Sequence, residues 1–440
     1  MQSRDAAHNY HTKKQSSVLA IDDGAAASVC PPVRESDENR SLGSIAKFAS
    51  HAQTTVKNAR DEATIKRFKL QAIARKLLPY RRVSNCLRSL VPGAAAVEIH
   101  HVPERDSAHF HNLRTCDSVW DCPVCAAKIT EQRRIELMLA VSRAVTDGYT
   151  PILVTFTMRH NRGDNLASLL EALKKAYRGF KSGRAYQALK SDYGIAGTVT
   201  STEVTHGHGR EKNNGWHPHL HALMFLEPIA ANKLRSLENE FKTRWEHVIN
   251  AQGYDASWEH GLTVKEGDSA IAEYVAKFGH EPKSARWTVE RELTKAPVKQ
   301  ASDDGMTPFQ MLEAYGNGDE QAGNLFREYS TVFSGRAQLV WSRGLRDLLG
   351  LNEEISDEQV NAVEPDETVL LTTVTVRDWY LLLNLQTDVR GELLTIASKG
   401  NADLLNEHIA HLLGKDKPTW ADSQNSPTIR MLESSGYRKV

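Results

Sequence analysis

The stretch Gly215 to Phe225, GWHPHLHALMF, constrains the fold more than any other part of the chain. Three histidines occupy alternate positions and lead directly into apolar residues. A β-strand repeats its side chains with a period of two, so His217, His219 and His221 share one face, while Pro218, Leu220 and Ala222 share the other. A row of imidazoles on a core strand has nitrogens to satisfy, and neutral imidazole is the commonest nitrogen ligand of divalent metals. The stretch therefore predicts a metal-binding face on a buried strand. The same histidines could instead serve a structural zinc site or a satisfied core.

A second strand is predicted at Gly197 to His206, GTVTSTEVTH, joined to the first by the polar GHGREKNNG. If the two pair antiparallel with Thr205 opposite His217, Glu203 falls opposite His219. Directly opposed residues bring their Cβ atoms within about 4.5–5.5 Å. Glu203, His219 and His221 then form a mixed nitrogen and oxygen set, suited to Mg²⁺ or Mn²⁺ in use and to Zn²⁺ or Co²⁺ by raw affinity. His206 and His208, in or beside the connection, are read as bystanders.

Further along the chain, the spacing predicts helices over Lys128–Asp147, Leu166–Phe180, the stretch ANKLRSLENEFKTRWEHVINAQG and Ser269–His280. Strands are predicted at Pro151–His160 and at GLTVKE. In the first of these Val154, Phe156 and Met158 share one face, and Thr155, Thr157 and Arg159 the other. Helices mix with short strands without a βαβ rhythm or a Gly-rich phosphate loop, which points to an α+β fold around a mainly antiparallel sheet. TPFQMLEA and NLFREYSTVF add helices after Thr307, and the apolar run TVLLTTVTV follows an acidic stretch that begins at Glu353.

The 440 residues suffice for two or three units, and 55 basic residues balance 55 acidic ones, so only the distribution of charge is informative. Basic residues dominate from Lys57 to Arg88, a run suited to a phosphate backbone or to a solvated helix face. Within it Arg81 and Arg82, and on the histidine side Arg159, are candidate DNA contacts. Residues 1–55 are expected to be a disordered arm, 56–130 a basic and cysteine-bearing segment, 131–300 the catalytic domain, 301–350 a helical extension and 351–440 an acidic accessory domain. No stretch has the length of a membrane span or the pattern of a secretory signal, so a cytoplasmic protein with no membrane partner is expected.

Two constellations remain. Tyr274 and Lys277, in EYVAKF, lie three apart on a predicted helix, so a phenol and an ammonium can point together. CDSVWDCPVC sets Cys116, Cys122 and Cys125 close together in a chain with no mark of secretion, which favours zinc over disulfides. A closed tetrahedral site needs a fourth ligand, for which Cys86, His109 and His111 are candidates. Cys30 is expected to be free.

His219-Leu220-His221, followed about fifty residues later by a helical Tyr-x-x-Lys, resembles the HUH endonuclease domain of rolling-circle replication initiators, the Rep proteins of small bacterial plasmids. LVTFTMRH resembles the first motif of that family, and EVTHG, GWHPHLH, TPFQMLEA and WSRGLR look like its branch with a single tyrosine. The resemblance covers roughly 83–350. It implies a central antiparallel sheet flanked by helices, with a cysteine zinc knuckle before it and a helical extension after it. It implies Tyr274 as the nucleophile on a DNA phosphodiester, leaving a 5′-phosphotyrosyl link and a free 3′-hydroxyl primer. Lys277 would offset phosphate charge, and His219, His221 and Glu203 would hold Mg²⁺ or Mn²⁺. Relatives also carry a cysteine near the place of Cys86, which makes it the favoured fourth ligand of a structural Zn²⁺. The implied partners are plasmid origin DNA, single-stranded at the nick, and a host helicase and polymerase.

The chain departs from some relatives where they place a glutamate four residues before the tyrosine. Here that position is Ala270, so Glu273 and Glu281 are the candidates for the closing step. The other readings carried forward are an HUH transposase or relaxase and a non-catalytic, zinc-dependent DNA-binding regulator.

Overall fold

The computed structural model describes residues 59–266, 305–363, 367–385 and 388–415. The expected arm 1–55, Cys30, Lys57 and the helix Ser269–His280 with Ala270, Glu273, Tyr274 and Lys277 lie outside the described residues, as does Glu281.

The chain folds as α+β, with antiparallel sheets flanked by helices. The larger sheet holds five strands: β3 (Thr150–Phe156), β4 (Ile195–His206), β5 (Trp216–Leu226), β6 (Leu262–Glu266) and β7 (Val340–Trp341). They lie in the order β6-β3-β5-β4-β7, with every neighbouring pair antiparallel. The pairing of β4 with β5 sets Thr205 opposite His217 and Glu203 opposite His219, the register expected from the sequence. Gly215 opens β5 with φ +80°, a conformation favouring glycine, and any Cβ there would meet the Arg162 carbonyl oxygen at 3.0 Å.

The run of histidines into apolar residues follows from what covers each half of β5. One face of the sheet is packed along its length. Leu220, Ala222, Met224 and Leu226, with Val154 and Phe156 of β3, bury against α3 (Leu166–Phe180) and α5 (Ala231–Asn250), whose Leu173, Phe180, Phe241 and Trp245 fill that core. On the other face the described residues that pack against the sheet gather over its far half. Leu223 and Phe225 pack with Leu153 and Val199 under Leu137, Ala140, Val141 and Ala144 of α2 (Pro123–Thr146) and under Leu339, Leu345 and Leu349. The near half of that face carries the histidines. One strand thus reads as alternating at its start and continuously apolar at its end.

Helix α2 begins five residues before the periodic pattern does, because Cys122 is its N-cap: the thiol accepts from the Cys125 N–H (3.4 Å) and Pro123 occupies the first turn. The cysteine motif is therefore built into a helix start. A helix over 59–77 precedes it.

A second sheet joins β1 (Ala96–Val102), β2 (Ser107–His111) and β8 (Val369–Thr375) in the order β2-β1-β8. TVLLTTVTV thus supplies an edge strand to a sheet whose other two strands come from the cysteine-bearing segment. Helices α10 (Val376–Leu383), α11 (Arg390–Ala397) and α12 (Ala402–Leu412) cover it through Trp379, Leu393, Leu405 and Ile409, together with Phe68 of the 59–77 helix. Part of the acidic stretch between the two sheets is spent internally. Asp357 and Glu354 pair with the buried Arg133 of α2 at 3.0 and 3.5 Å, and Glu358 with Arg82 at 3.5 Å. Among the described residues no helix is long and apolar enough to cross a membrane.

Candidate active site and cysteine centre

The register of β3, β4 and β5 gathers a carboxylate, imidazoles and hydroxyls on the near half of the histidine-bearing face. Thr155 and Ser201 flank His221, and Glu203 flanks His219. His221 is only 1% exposed, and both its ring nitrogens face partners: Nε2 lies 3.0 Å from Glu203 Oε2, and Nδ1 lies 3.0 Å from Thr155 Oγ1. The His219 ring is 5.9 Å from that of His221 and 4.2 Å from that of His217, which in turn is 4.8 Å from His160. The Glu203 side chain is 39% exposed, so the pair it forms with His221 opens to solvent on the carboxylate side.

Two ligands at right angles on a small octahedral cation, with bonds of roughly 2.1 Å, stand about 3.0 Å apart. Glu203 Oε2 and His221 Nε2 have that separation. Their donor types, a carboxylate oxygen and an imidazole nitrogen, suit Mn²⁺ or Mg²⁺ with the remaining positions open to water and phosphate oxygens. His219 stands on the same face but is not drawn in as closely. Among the described residues only the four cysteines bring three or more ligand atoms within 4.8 Å of one another. The residues fit a labile cation, with the Glu203–His221 pair in place and His219 beside it on the same face.

His206 and His208 fasten the β4–β5 connection. His206 is buried, its Nδ1 accepts the His208 N–H (2.9 Å), its ring meets Trp216 edge-on at 4.8 Å, and its backbone bridges to Met306. Burial, reinforced by His208, Arg162 and His160, pushes its imidazole down to about 4. His208 Nε2 lies 2.8 Å from Asp319, which caps α7 (Glu320–Phe333).

Arg159 is exposed just beyond the end of β3, its backbone N–H bonded to the Asp255 carbonyl at 2.7 Å. Arg81 and Arg82 also pair with the cysteine loop, the Arg82 side chain staying 63% exposed. Arg81 Nε lies 3.4 Å from Asp121, with Nη2 donating to the Ser330 carbonyl at 2.8 Å, and Arg82 pairs with Asp117 at 2.6 Å. Both aspartates lie between Cys116 and Cys122.

Cys86, Cys116, Cys122 and Cys125 are all buried and converge. Cys86 Sγ is 3.5 Å from Cys125 Sγ and 3.8 Å from Cys122 Sγ, and Cys116 Sγ is 3.6 Å from Cys125 Sγ. A disulfide would bring two sulfurs to about 2.05 Å. Four thiolates on one zinc at roughly 2.3 Å stand about 3.8 Å apart. The spacing fits a tetrahedral Cys₄ site with Cys86 as fourth member. His109 and His111 lie elsewhere, their rings stacked at 5.4 Å and tilted at 5.6 Å against His100. Burial alone would raise the Cys122 thiol, but its hydrogen bonding with Cys116, Cys125 and Cys86 and the bond from the Cys125 N–H outweigh it and hold the group well below the usual thiol range. Gln71 Nε2 also donates to that sulfur, at 3.1 Å.

Sequence reasoning missed three of these residues. Thr155 was placed on the correct face without a role, while Gln71 and Arg390, which donates to the Cys86 carbonyl at 3.1 Å, lie too far from the motif for any spacing to signal them.

Residues 107–245 match the family described as replication protein. Protein rep of Streptomyces lividans is 29% identical over 360 residues, covering 66% of this chain and 77% of that protein. A Streptomyces cyanogenus protein named neomycin resistance protein is 30% identical over 138 residues, which make up 26% of this chain and 31% of the relative. No solved structure gives a significant match. The matched family segment runs from β2 to the last turns of α5, so it contains Cys116, Cys122, Cys125, Glu203, His219 and His221 and stops short of Tyr274.

Proposed function

Starting from a chain that belongs to the plasmid Rep family of replication proteins, we propose that it initiates rolling-circle replication by nicking one strand of plasmid origin DNA and rejoining the ends at termination. The observation that supports this reading most directly is the Glu203–His221 pair at 3.0 Å beside His219, with the Glu203 side chain 39% exposed. His219, His221 and Glu203 would hold a divalent cation, Mg²⁺ or Mn²⁺, whose chemistry there is Lewis-acid polarisation of phosphate oxygens.

The nucleophile proposed is Tyr274. Its phenolic oxygen forms the bond to phosphorus, the bond from phosphorus to the 3′ oxygen breaks, and that oxygen takes up a proton to leave a 3′-hydroxyl primer. A phenol with a pKa near 10 is a competent leaving group, so the 5′-phosphotyrosyl link can be reversed when the ends are joined. Lys277 would offset charge on the phosphoryl oxygens, and Glu273 or Glu281 would serve the closing step. Arg159, exposed at the histidine end of the sheet, is proposed to meet the DNA backbone. The four cysteines would hold a structural Zn²⁺ that fixes the basic segment, including Arg81 and Arg82, against the nuclease core. A host helicase and polymerase would take over at the primer.

The test is incubation of single-stranded origin DNA with the protein and Mn²⁺, read as an SDS-stable adduct. Wild type is expected to form it and Tyr274→Phe to form none while still binding the origin. An adduct in the Phe variant would move the nucleophile elsewhere, with Tyr254 and Tyr315 next. No adduct in wild type on any origin strand would favour a non-catalytic regulator.

A further inference from the structure

We infer that Thr155 is a positioning residue that satisfies Nδ1 of His221 in either tautomer, and so lets Nε2 give up its proton and bind a cation. The inference rests on the reading of His221 as a ligand and adds to it a residue with no direct part in the chemistry.

Neutral imidazole carries one proton on two nitrogens, and only the bare nitrogen can bind a metal. Both nitrogens of His221 are committed, to Thr155 Oγ1 and to Glu203 Oε2, each at 3.0 Å. With the ring 1% exposed, water does not compete for either. A carboxylate only accepts, so without a cation the proton must sit on Nε2 and point at Glu203. Nδ1 is then bare and must receive a hydrogen bond, which the Thr155 hydroxyl can donate.

A cation shared by Glu203 and His221 takes the place of the Nε2 proton. The neutral ring keeps its single proton by carrying it on Nδ1, and Nδ1–H then needs an acceptor. Thr155 Oγ1, 3.0 Å away, is again in reach. A hydroxyl is both donor and acceptor, so rotation about one C–O bond serves both states. A donor-only or acceptor-only group at this position would favour one tautomer, and an apolar group neither. The sheet fixes the distance: Thr155 is the direct cross-strand partner of His221 on β3.

The experiment compares Thr155→Val, which keeps the shape and the β-branching, with Thr155→Ser, which keeps the hydroxyl. Mn²⁺ binding to the full-length, zinc-loaded protein is measured by calorimetry and electron paramagnetic resonance. Histidine tautomers are read by long-range ¹H–¹⁵N NMR without cation and with Mg²⁺. Removing a partner of a metal-ligating histidine typically weakens metal binding about 10–100-fold. The Val variant should fall in that range, with Ser within about twofold of wild type, and His221 should move from Nε2–H to Nδ1–H when Mg²⁺ is added to wild type. Wild-type Mn²⁺ affinity in the Val variant, Ser as weak as Val, or an unchanged tautomer would each overturn the assignment. His221→Ala separates the two levels. If it binds Mn²⁺ like wild type, the ligand reading of His221 falls; if it loses binding while Val keeps it, only the role of Thr155 falls.

Discussion

Arg390 Nη1 donates to the carbonyl oxygens of Cys86 and Leu87, at 3.1 and 3.0 Å, across 304 and 303 residues of chain. The guanidinium is 1% exposed, pairs with Asp388 and stacks over Phe68 at 5.1 Å. Removing one partner of a buried ion pair typically costs about 3–5 kcal/mol, since the other charge is left without compensation. Arg390→Met is expected to lose stability on that scale and also to hold zinc less tightly, because the backbone beside Cys86 loses its anchor. Chemical unfolding and zinc retention on dialysis measure the two effects. A loss below about 1 kcal/mol would show that the C-terminal segment does not brace the cysteine loop.

The cysteine centre is expected to be structural, closed and separate from cleavage. Cys122→Ser or Cys125→Ser should abolish the bound zinc and lower Tm on the order of 10 °C, the shift produced by a loss of about 4 kcal/mol in a domain of this size. The fraction that stays folded should keep the Mn²⁺ or Mg²⁺ requirement of nicking. Zinc absent from folded wild type by elemental analysis would remove the basis for a Cys₄ site.

Some residues of the basic segment pair with carboxylates of the fold and others stand exposed on the helix 59–77. Arg81 and Arg82 are tied to Asp121 and Asp117, and Lys66 to Glu313, whereas Lys69 and Lys76 are exposed on the 59–77 helix. Each phosphate contact removed lowers the salt slope of binding by about 0.9. Lys69→Ala with Lys76→Ala should therefore flatten the plot of log affinity against log salt by up to about 2. Arg81→Ala should act mainly on stability, seen as a lower Tm with a nearly unchanged slope.

The sheet and its register were legible because period-two alternation at TSTEVTH and HPHLH leaves one pairing that puts Glu203 beside the histidines. The clustering of the cysteines was legible as well, with Cys86 placed with the other three by resemblance and then found 3.5 Å from Cys125. Residues acting through tertiary contacts were not. Nothing local marks Arg390 or Gln71 as partners of the cysteine loop, since a pattern records which face a residue takes and not what packs there. Nor does composition reveal that β8 pairs with β1, because register between distant segments is set by the shared core of Val97, Ile99, Val374 and Trp379. The start of α2 at Pro123 was missed for a local reason: small residues and a thiol cap interrupt the apolar periodicity.

His206 makes stability depend on pH below neutrality. Its imidazole is pushed down to about 4 in the fold, by burial first and then by His208, Arg162 and His160, against about 6.5 in an unfolded chain. Between these values the unfolded state binds the extra proton, so stability rises with pH there and is lost as pH falls. The full contribution is present above about 6.5, and up to about 3 kcal/mol disappears by about pH 4. Thermal unfolding from pH 7 to pH 4 should show the decline, and His206→Gln should flatten it. An equally steep decline in the Gln variant would assign it to other groups.

The last prediction weighs the ligands against each other. Glu203 and His221 stand 3.0 Å apart while the His219 ring lies 5.9 Å from that of His221, so the three substitutions should not be equivalent. His221→Ala removes a buried ligand and leaves Glu203 and Thr155 facing a cavity. Glu203→Gln keeps the shape and an oxygen but loses the negative charge that offsets a dication. Lewis-acid stabilisation is worth several kcal/mol, so His221→Ala should slow nicking by on the order of 10²-fold or more even at saturating Mn²⁺. Glu203→Gln should mainly raise the Mn²⁺ concentration needed, with part of the rate recovered at high concentration. His219→Ala should lose cleavage like His221→Ala with less effect on Tm, because the His219 ring is more exposed. Origin binding measured in EDTA should be close to wild type for all three. Full-rate nicking in excess EDTA would sink the cation-dependent mechanism, and equal behaviour of Glu203→Gln and wild type across a Mn²⁺ titration would remove Glu203 from the ligand set.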